Sequence, residues 1–179
     1  MSKRLNFQFD RDKAVEVVLY ITTHARIPDR FHVCKILYFA DRYHLENYAR
    51  LICGDYYAAM PHGAVPSNTY NLIVEADDGN IPAIAVDDVN VIPLREANLE
   101  VFSESDLEAL NWAIAEYGSL EFGALWRISH DDHVWKQVTQ DGALIRSPYT
   151  TRSIPIPMEE IVSVLKDKDE LLEYLYEYC

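Results

Sequence analysis

Glycine is scarce in this chain, at six of 179 residues. Neither a Gly-x-x-x-x-Gly-Lys run nor a Gly-x-Gly-x-x-Gly run occurs, so the two common backbone cradles for nucleotide phosphates are missing. Basic residues are also few. Sixteen Lys and Arg stand against 29 Asp and Glu, for a formal charge of −13. Neutralising a phosphate backbone takes clustered Lys and Arg, so direct nucleic-acid binding is not expected, whereas a basic partner would be drawn in. No apolar run approaches the roughly 18 to 20 residues of a membrane span, and no membrane contact is expected. Near the start, the basic pair Lys3-Arg4 is not followed by an apolar stretch, so no signal peptide is expected. The cysteines are Cys34, Cys53 and Cys179. Their odd number and spacing fit neither a disulfide framework nor a zinc knuckle, and Cys34 reads as a small buried residue. The default compartment is the cytoplasm.

What is present is ordinary globular material, 49% hydrophobic and 25% charged. It is enough for one domain with a sizeable core. Ala14, Val17, Val18 and Ile21 recur at helical spacing behind Asp10, a candidate N-cap. Asp29 is placed to cap a second helix running to about Arg50, with Cys34, Leu37, Tyr38, His44, Leu45 and Tyr48 on one face. Gly54 to Met60 reads as extended, Pro61 to Pro66 as a turn, and Ser67 as the cap of a third helix. Two short β-type runs flank Asp87-Asp88 and predict a hairpin, with Pro82 and Pro93 confined to strand ends. A helix follows with Ser105 and Glu108 in a capping-box pattern and Gly118 at its end. Ser119 is placed to cap the next helix, which has Phe122, Leu125, Trp126 and Ile128 as apolar members. Asp141 to Pro157 reads as a loop, and helical spacing resumes from Met158, with a break at Asp167 to Asp169. The expected class is α+β: a predominantly helical single domain with a small antiparallel hairpin or sheet.

Asp41 falls in the middle of the second helix's apolar face. An unpaired carboxylate there is expensive, so it needs a partner: an Arg or His side chain, or backbone N–H groups of a nearby turn. A junction with the His62-Gly63 turn or the Ser129-His130 segment would tie three elements together. His130 and His133 would share a helical face. With Asp41, Asp131 or Asp132 they make the alternative reading, a divalent-metal hydrolase. Against it, no His-Glu-x-x-His motif is present, and a helix end plugged by Trp135 is the plainer reading. No Gly-x-Ser-x-Gly elbow supports a nucleophilic triad. His62 suits a ligand, a general base or a turn residue, and Gly63 suggests positive φ or close packing. Near the C-terminus Tyr174, Tyr176 and Tyr178 alternate with Glu170, Glu173 and Glu177. That pattern makes either a solvated helix or an interaction surface for a basic partner.

Lys35 to Asp41, His44-Leu45, Tyr48, Gly54-Asp55, Pro61 to Pro66 and Tyr70 together resemble the Panacea domain of SocA-like antitoxins and phage-associated proteins. So do Leu107, Tyr117-Gly118, Leu125, Ser129-His130 and Trp135, in that order. The resemblance runs from about Asp10 to Trp135, with Ala64 where the family usually has proline. It implies a non-enzymatic type II antitoxin without catalytic residues or cofactors. The expected partner is a cognate protein toxin encoded next to it, and a protease if the chain also acts as an adaptor. Asp41, His62, Gly63, Ser129, His130 and Trp135 are then structural motif residues, and Tyr174, Tyr176 and Tyr178 candidate partner contacts. The expected organisation is a Panacea-like domain over 1–140 and a packed C-terminal loop and helix over 141–179. Some members carry a DNA-binding segment, and none is expected ahead of the first helix here.

Overall fold

The computed structural model describes residues 4–146 and 153–179. Lys3 of the basic pair and Pro148 of the expected loop lie outside the described residues. The described residues are mostly helical, with two small antiparallel sheets. Helix α1 (Arg11–His24) begins where the Asp10 carboxylate accepts from Lys13 N, and α2 (Arg30–Tyr48) where Asp29 accepts from His32 N. Each cap satisfies an otherwise orphaned amide of the first turn.

Helix α2 is the centre of the molecule. Val33 through Asp41 are all buried, so the helix is enclosed all round and not along one face as its spacing suggests. Helix α4 (Glu104–Tyr117), the hairpin strand β2 (Gly63–Pro66), α1, α3 (Ser67–Asp77), α5 (Phe122–Asp131) and α8 (Met158–Val162) pack around it. Tyr48, assigned to the buried face, is 39% exposed near the helix end.

Strands β1 (Tyr57–Met60) and β2 (Gly63–Pro66) pair antiparallel across a two-residue turn at Pro61-His62. The segment 61–66 is therefore turn only at its first two residues and strand over the other four. Strand β5 (Ile154–Ile156) pairs with the other edge of β1, so the order is β2-β1-β5. The region expected as a loop over 141–157 thus contains β5 and the short helix α7 (Ala143–Arg146). Three residues with two prolines nearby carry no strand signal of their own, and only the open edge of β1 makes them one. Strands β3 (Ile84–Asp87) and β4 (Asn90–Pro93) form the expected hairpin, with Pro93 at its end.

Several helix starts differ from expectation because a better donor or acceptor wins. Helix α3 (Ser67–Asp77) begins at Ser67 itself, and its first amides are capped from outside by Asp55. The capping box of α4 is Ser103 with Asp106, two residues earlier than Ser105 and Glu108. Helix α5 (Phe122–Asp131) follows Glu121, with no side-chain cap from Ser119. Asp132 is extended, and α6 (His133–Thr139) starts after it. Helices α8 (Met158–Val162) and α9 (Lys168–Tyr178) are separated over residues 163–167, earlier than the expected break at Asp167 to Asp169 and sharing only Asp167 with it.

Candidate interaction site

The turn between β1 and β2 is held residue by residue. Met60 O accepts from Trp135 Nε1 at 2.9 Å, and Pro61 O lies 2.7 Å from His130 Nε2. His62 Nδ1 accepts from Trp126 Nε1 at 3.2 Å, and Ala64 O accepts from Lys35 Nζ at 2.6 Å. Gly63 sits at φ +106°, and a Cβ there would come within 2.8 Å of Ser129 Cβ and 3.0 Å of Lys35 Nζ. Glycine is required twice over, by conformation and by space. Ser129 spends its own hydroxyl on Leu125 O at 2.9 Å. His130 has its second ring nitrogen, Nδ1, 2.8 Å from Trp126 O. Both nitrogens face carbonyl oxygens, so neither offers a lone pair outward. The break at Asp132 also separates His130 and His133 onto different helices, so the shared face the hydrolase alternative needs is not formed. Among the described residues no group of three or more His, Cys, Asp or Glu could hold a metal ion.

Asp41 lies apart from this turn. Its Oδ1 accepts from Ile52 N at 2.8 Å and its Oδ2 from Tyr57 OH at 2.6 Å. Of the partners expected, an Arg or His side chain or backbone amides of a nearby turn, the structure supplies one amide together with the Tyr57 hydroxyl, and the expected junction with His62-Gly63 or Ser129-His130 is not formed. Burial raises the Asp41 carboxyl to about 7, against the pull of those two donors. Asp55, fully buried, accepts from Tyr56 N, Asn68 N, Thr69 N and Thr69 Oγ1. Asp132 accepts from Tyr38 OH at 2.8 Å and Arg42 Nη1 at 2.6 Å, fixing the α5–α6 break to α2. These carboxylates brace the fold.

Lys35 is different. It is 1% exposed, and among the described residues its ammonium has one hydrogen-bond acceptor, Ala64 O, and no carboxylate partner. Its Nζ also lies 5.3 Å from the Phe31 ring centroid. Burial lowers its pKa to about 8. Beside it opens a cavity of about 190 Å³ walled by Phe31, Met60, Pro61, His62, Val65 and Tyr70, with Arg30 and Lys35 as its cationic side chains. Arg30 Nε is buried and has no acceptor among the described residues. Outside the cavity the aromatic rings continue. Phe31 packs on Phe122 at 4.7 Å, His62 on Phe122 at 6.1 Å, and Trp126 stacks on His130 at 3.7 Å. Phe122 is 49% exposed and Ile128 37%, while Leu125 alone of the apolar members predicted for α5 is buried.

Residues 33–136, more than half of the chain, match the family model described as antitoxin SocA-like, Panacea domain. The chain belongs to this family. No curated protein and no solved structure gives a significant match. The matched stretch of the Panacea domain runs from α2 through most of α6 and contains the whole hairpin lock. Of the six motif residues singled out from sequence, His62, Gly63, Ser129, His130 and Trp135 come together at the turn, and Asp41 does not. Lys35 and Asp55 figured only within the runs that resemble the family and Asp132 only as an alternative metal ligand, and the roles they take here were not foreseen. Lys35 sits inside the run Val33 to Ala40, where a charged residue among apolar ones is itself a signal. Asp55 and Asp132 act on residues far along the chain, and nothing local marks them.

The C-terminal tyrosines of this Panacea protein divide in two. Tyr174 and Tyr178, 48% and 65% exposed, pack on each other at 4.7 Å. Tyr176 is half-buried and donates to Glu159 Oε1 at 3.0 Å, tying α9 to α8. No helix of the described residues is long and apolar enough to cross a membrane.

Proposed function

We propose that this chain is the antitoxin of a type II pair, which binds a protein toxin encoded next to it and neutralises it by occupying the toxin's working surface. Membership of the SocA-like antitoxin family over residues 33–136 carries this reading. Two features of the site support it. The buried carboxylates and the His130 ring are spent on bracing, and the surface above the hairpin turn is exposed and aromatic, as interface cores are. The charge of −13 favours a basic partner by long-range attraction. Of the C-terminal tyrosines we assign Tyr174 and Tyr178 to partner contact and leave Tyr176 to the packing of α9.

Co-expression with the product of the adjacent open reading frame tests the reading. Rescue of growth and a co-purifying complex are expected, and the absence of both would refute it. A finer form of the reading has the chain deliver its partner to a cytosolic protease. In a protease-competent extract the partner's half-life would then fall when this chain is added, whereas simple masking would lengthen it.

A further inference from the structure

We infer that the cavity beside Lys35 is a receptor for a carboxylate side chain of the partner protein, its stem lying against Phe31, Val65 and Tyr70 and its charge meeting the Lys35 ammonium. The partner's identity rests on the antitoxin reading; the cavity's chemistry does not.

Four observations lead here. First, Lys35 is a buried cation with no carboxylate at ion-pair distance among the described residues, in a molecule with 29 acids; Asp132 acts on it only from farther off. A buried ammonium with spare donors is costly to keep, and every buried carboxylate described above has at least two donors. Secondly, Arg30 also lines the cavity: its Nη2 is spent on Asp77 Oδ2 and Asp88 O, but its Nε is buried without an acceptor among the described residues. Thirdly, the remaining wall is apolar and the volume, about 190 Å³, suits one side chain. An aliphatic stem ending in a carboxylate matches both halves of that lining. Fourthly, the rim continues outward as Phe122 and His62, both exposed, which gives a polypeptide more to hold than a small free acid would use.

Long-range and short-range charge then play opposite parts. The acidic surface attracts a basic partner, and the single cationic cavity selects one acidic residue within it. A purely structural Lys35, present only to fasten Ala64, would bind nothing there.

The test has two arms. In the first, wild-type protein is titrated with butyrate, with butyramide as the uncharged control, and amide shifts are followed by NMR. Butyrate is expected to move the signals of Phe31, Lys35 and Gly63, with butyramide weaker by about tenfold, the weight of one charge-assisted hydrogen bond. The Lys35→Met variant is expected to lose that discrimination. Equal shifts from acid and amide, shifts unchanged in Lys35→Met, or no shift at these residues would overturn the proposal. In the second arm, the adjacent gene product is assayed against wild type and Lys35→Met. A complex weakened at least tenfold in the variant, with its melting temperature no lower, supports a partner carboxylate, and equal affinity overturns it. If wild type forms no complex but the first arm succeeds, the antitoxin reading fails and the carboxylate site stands as a site for a free acid, which overturns the partner-protein source proposed here.

Discussion

Helix α2 buries two opposite charges less than two turns apart, and they live under different terms. Asp41 is 1% exposed and has both oxygens taken, by Ile52 N and Tyr57 OH. Lys35 is equally buried but has one acceptor among the described residues, a glycine pressed against its tip and a cavity at its side. A satisfied buried charge organises its neighbours, since removing it strands the groups it held. A half-satisfied one costs stability and invites an external partner. The two ends of one helix thus divide into a braced half and a half left open to binding.

The largest effect is expected where the frame of the open half is removed. Trp135→Ala takes away a buried indole and the donor to Met60 O, and should cost about 3 to 5 kcal/mol in denaturant unfolding. Asp41→Ala strands two buried donors at about 1 to 3 kcal/mol each and should rank second in the same measurement. Lys35→Met should break the symmetry, leaving stability unchanged or raising it by up to about 4 kcal/mol, as when buried charged groups give way to apolar ones of similar volume. Loss of stability in Lys35→Met comparable to that in Asp41→Ala would erase the contrast.

The pH dependence sharpens it further. Asp41 holds its proton more tightly folded than unfolded, its carboxyl being raised from 3.8 to about 7 by burial. Its contribution is therefore present below about pH 4 and is lost as pH rises through about 7. Lys35 has the opposite linkage, lowered from 10.5 to about 8 by burial. Its contribution is present above 10.5 and is lost as pH falls through about 8. Unfolding free energy followed against pH, wild type minus Asp41→Asn, should fall between pH 4 and 7. Wild type minus Lys35→Met should rise between pH 8 and 10.5. The smallest stability effect belongs to Tyr174→Ser with Tyr178→Ser, expected within about 0.5 kcal/mol of wild type, with weakened partner binding as the readout.

What could be read from sequence follows the reach of each interaction. Asp10 and Asp29 were legible because an N-cap acts on a residue three positions on. Asp55 was not, because its partners are 13 and 14 positions away across a strand pair. The breaks at Asp167 and the turn at Asp87-Asp88 declare themselves locally, whereas β5 exists only because β1 has a free edge. At the site, the residues Gly63, Ser129, His130 and Trp135 were visible as unusual types. Their meeting depends on the packing of α5 and α6 over the hairpin. Asp41 was placed correctly as a carboxylate that needs a partner, but a single chain cannot show which of several turns supplies it. Lys35 was named only as part of a family-like run and given no role, because lysines on helices usually reach water with their long stems, and this one cannot.

Strand β5 carries one more lesson. Residues 154–156 lie outside the stretch that matches the family, yet they zip along β1 and lead straight into Met158, Ile161 and Val162, buried residues of the helix that packs against α2 and α6. A version trimmed to the matched region would bare a row of backbone donors and acceptors beside fresh oily surface, the combination that makes proteins clump. Anyone dissecting this molecule should keep its tail attached.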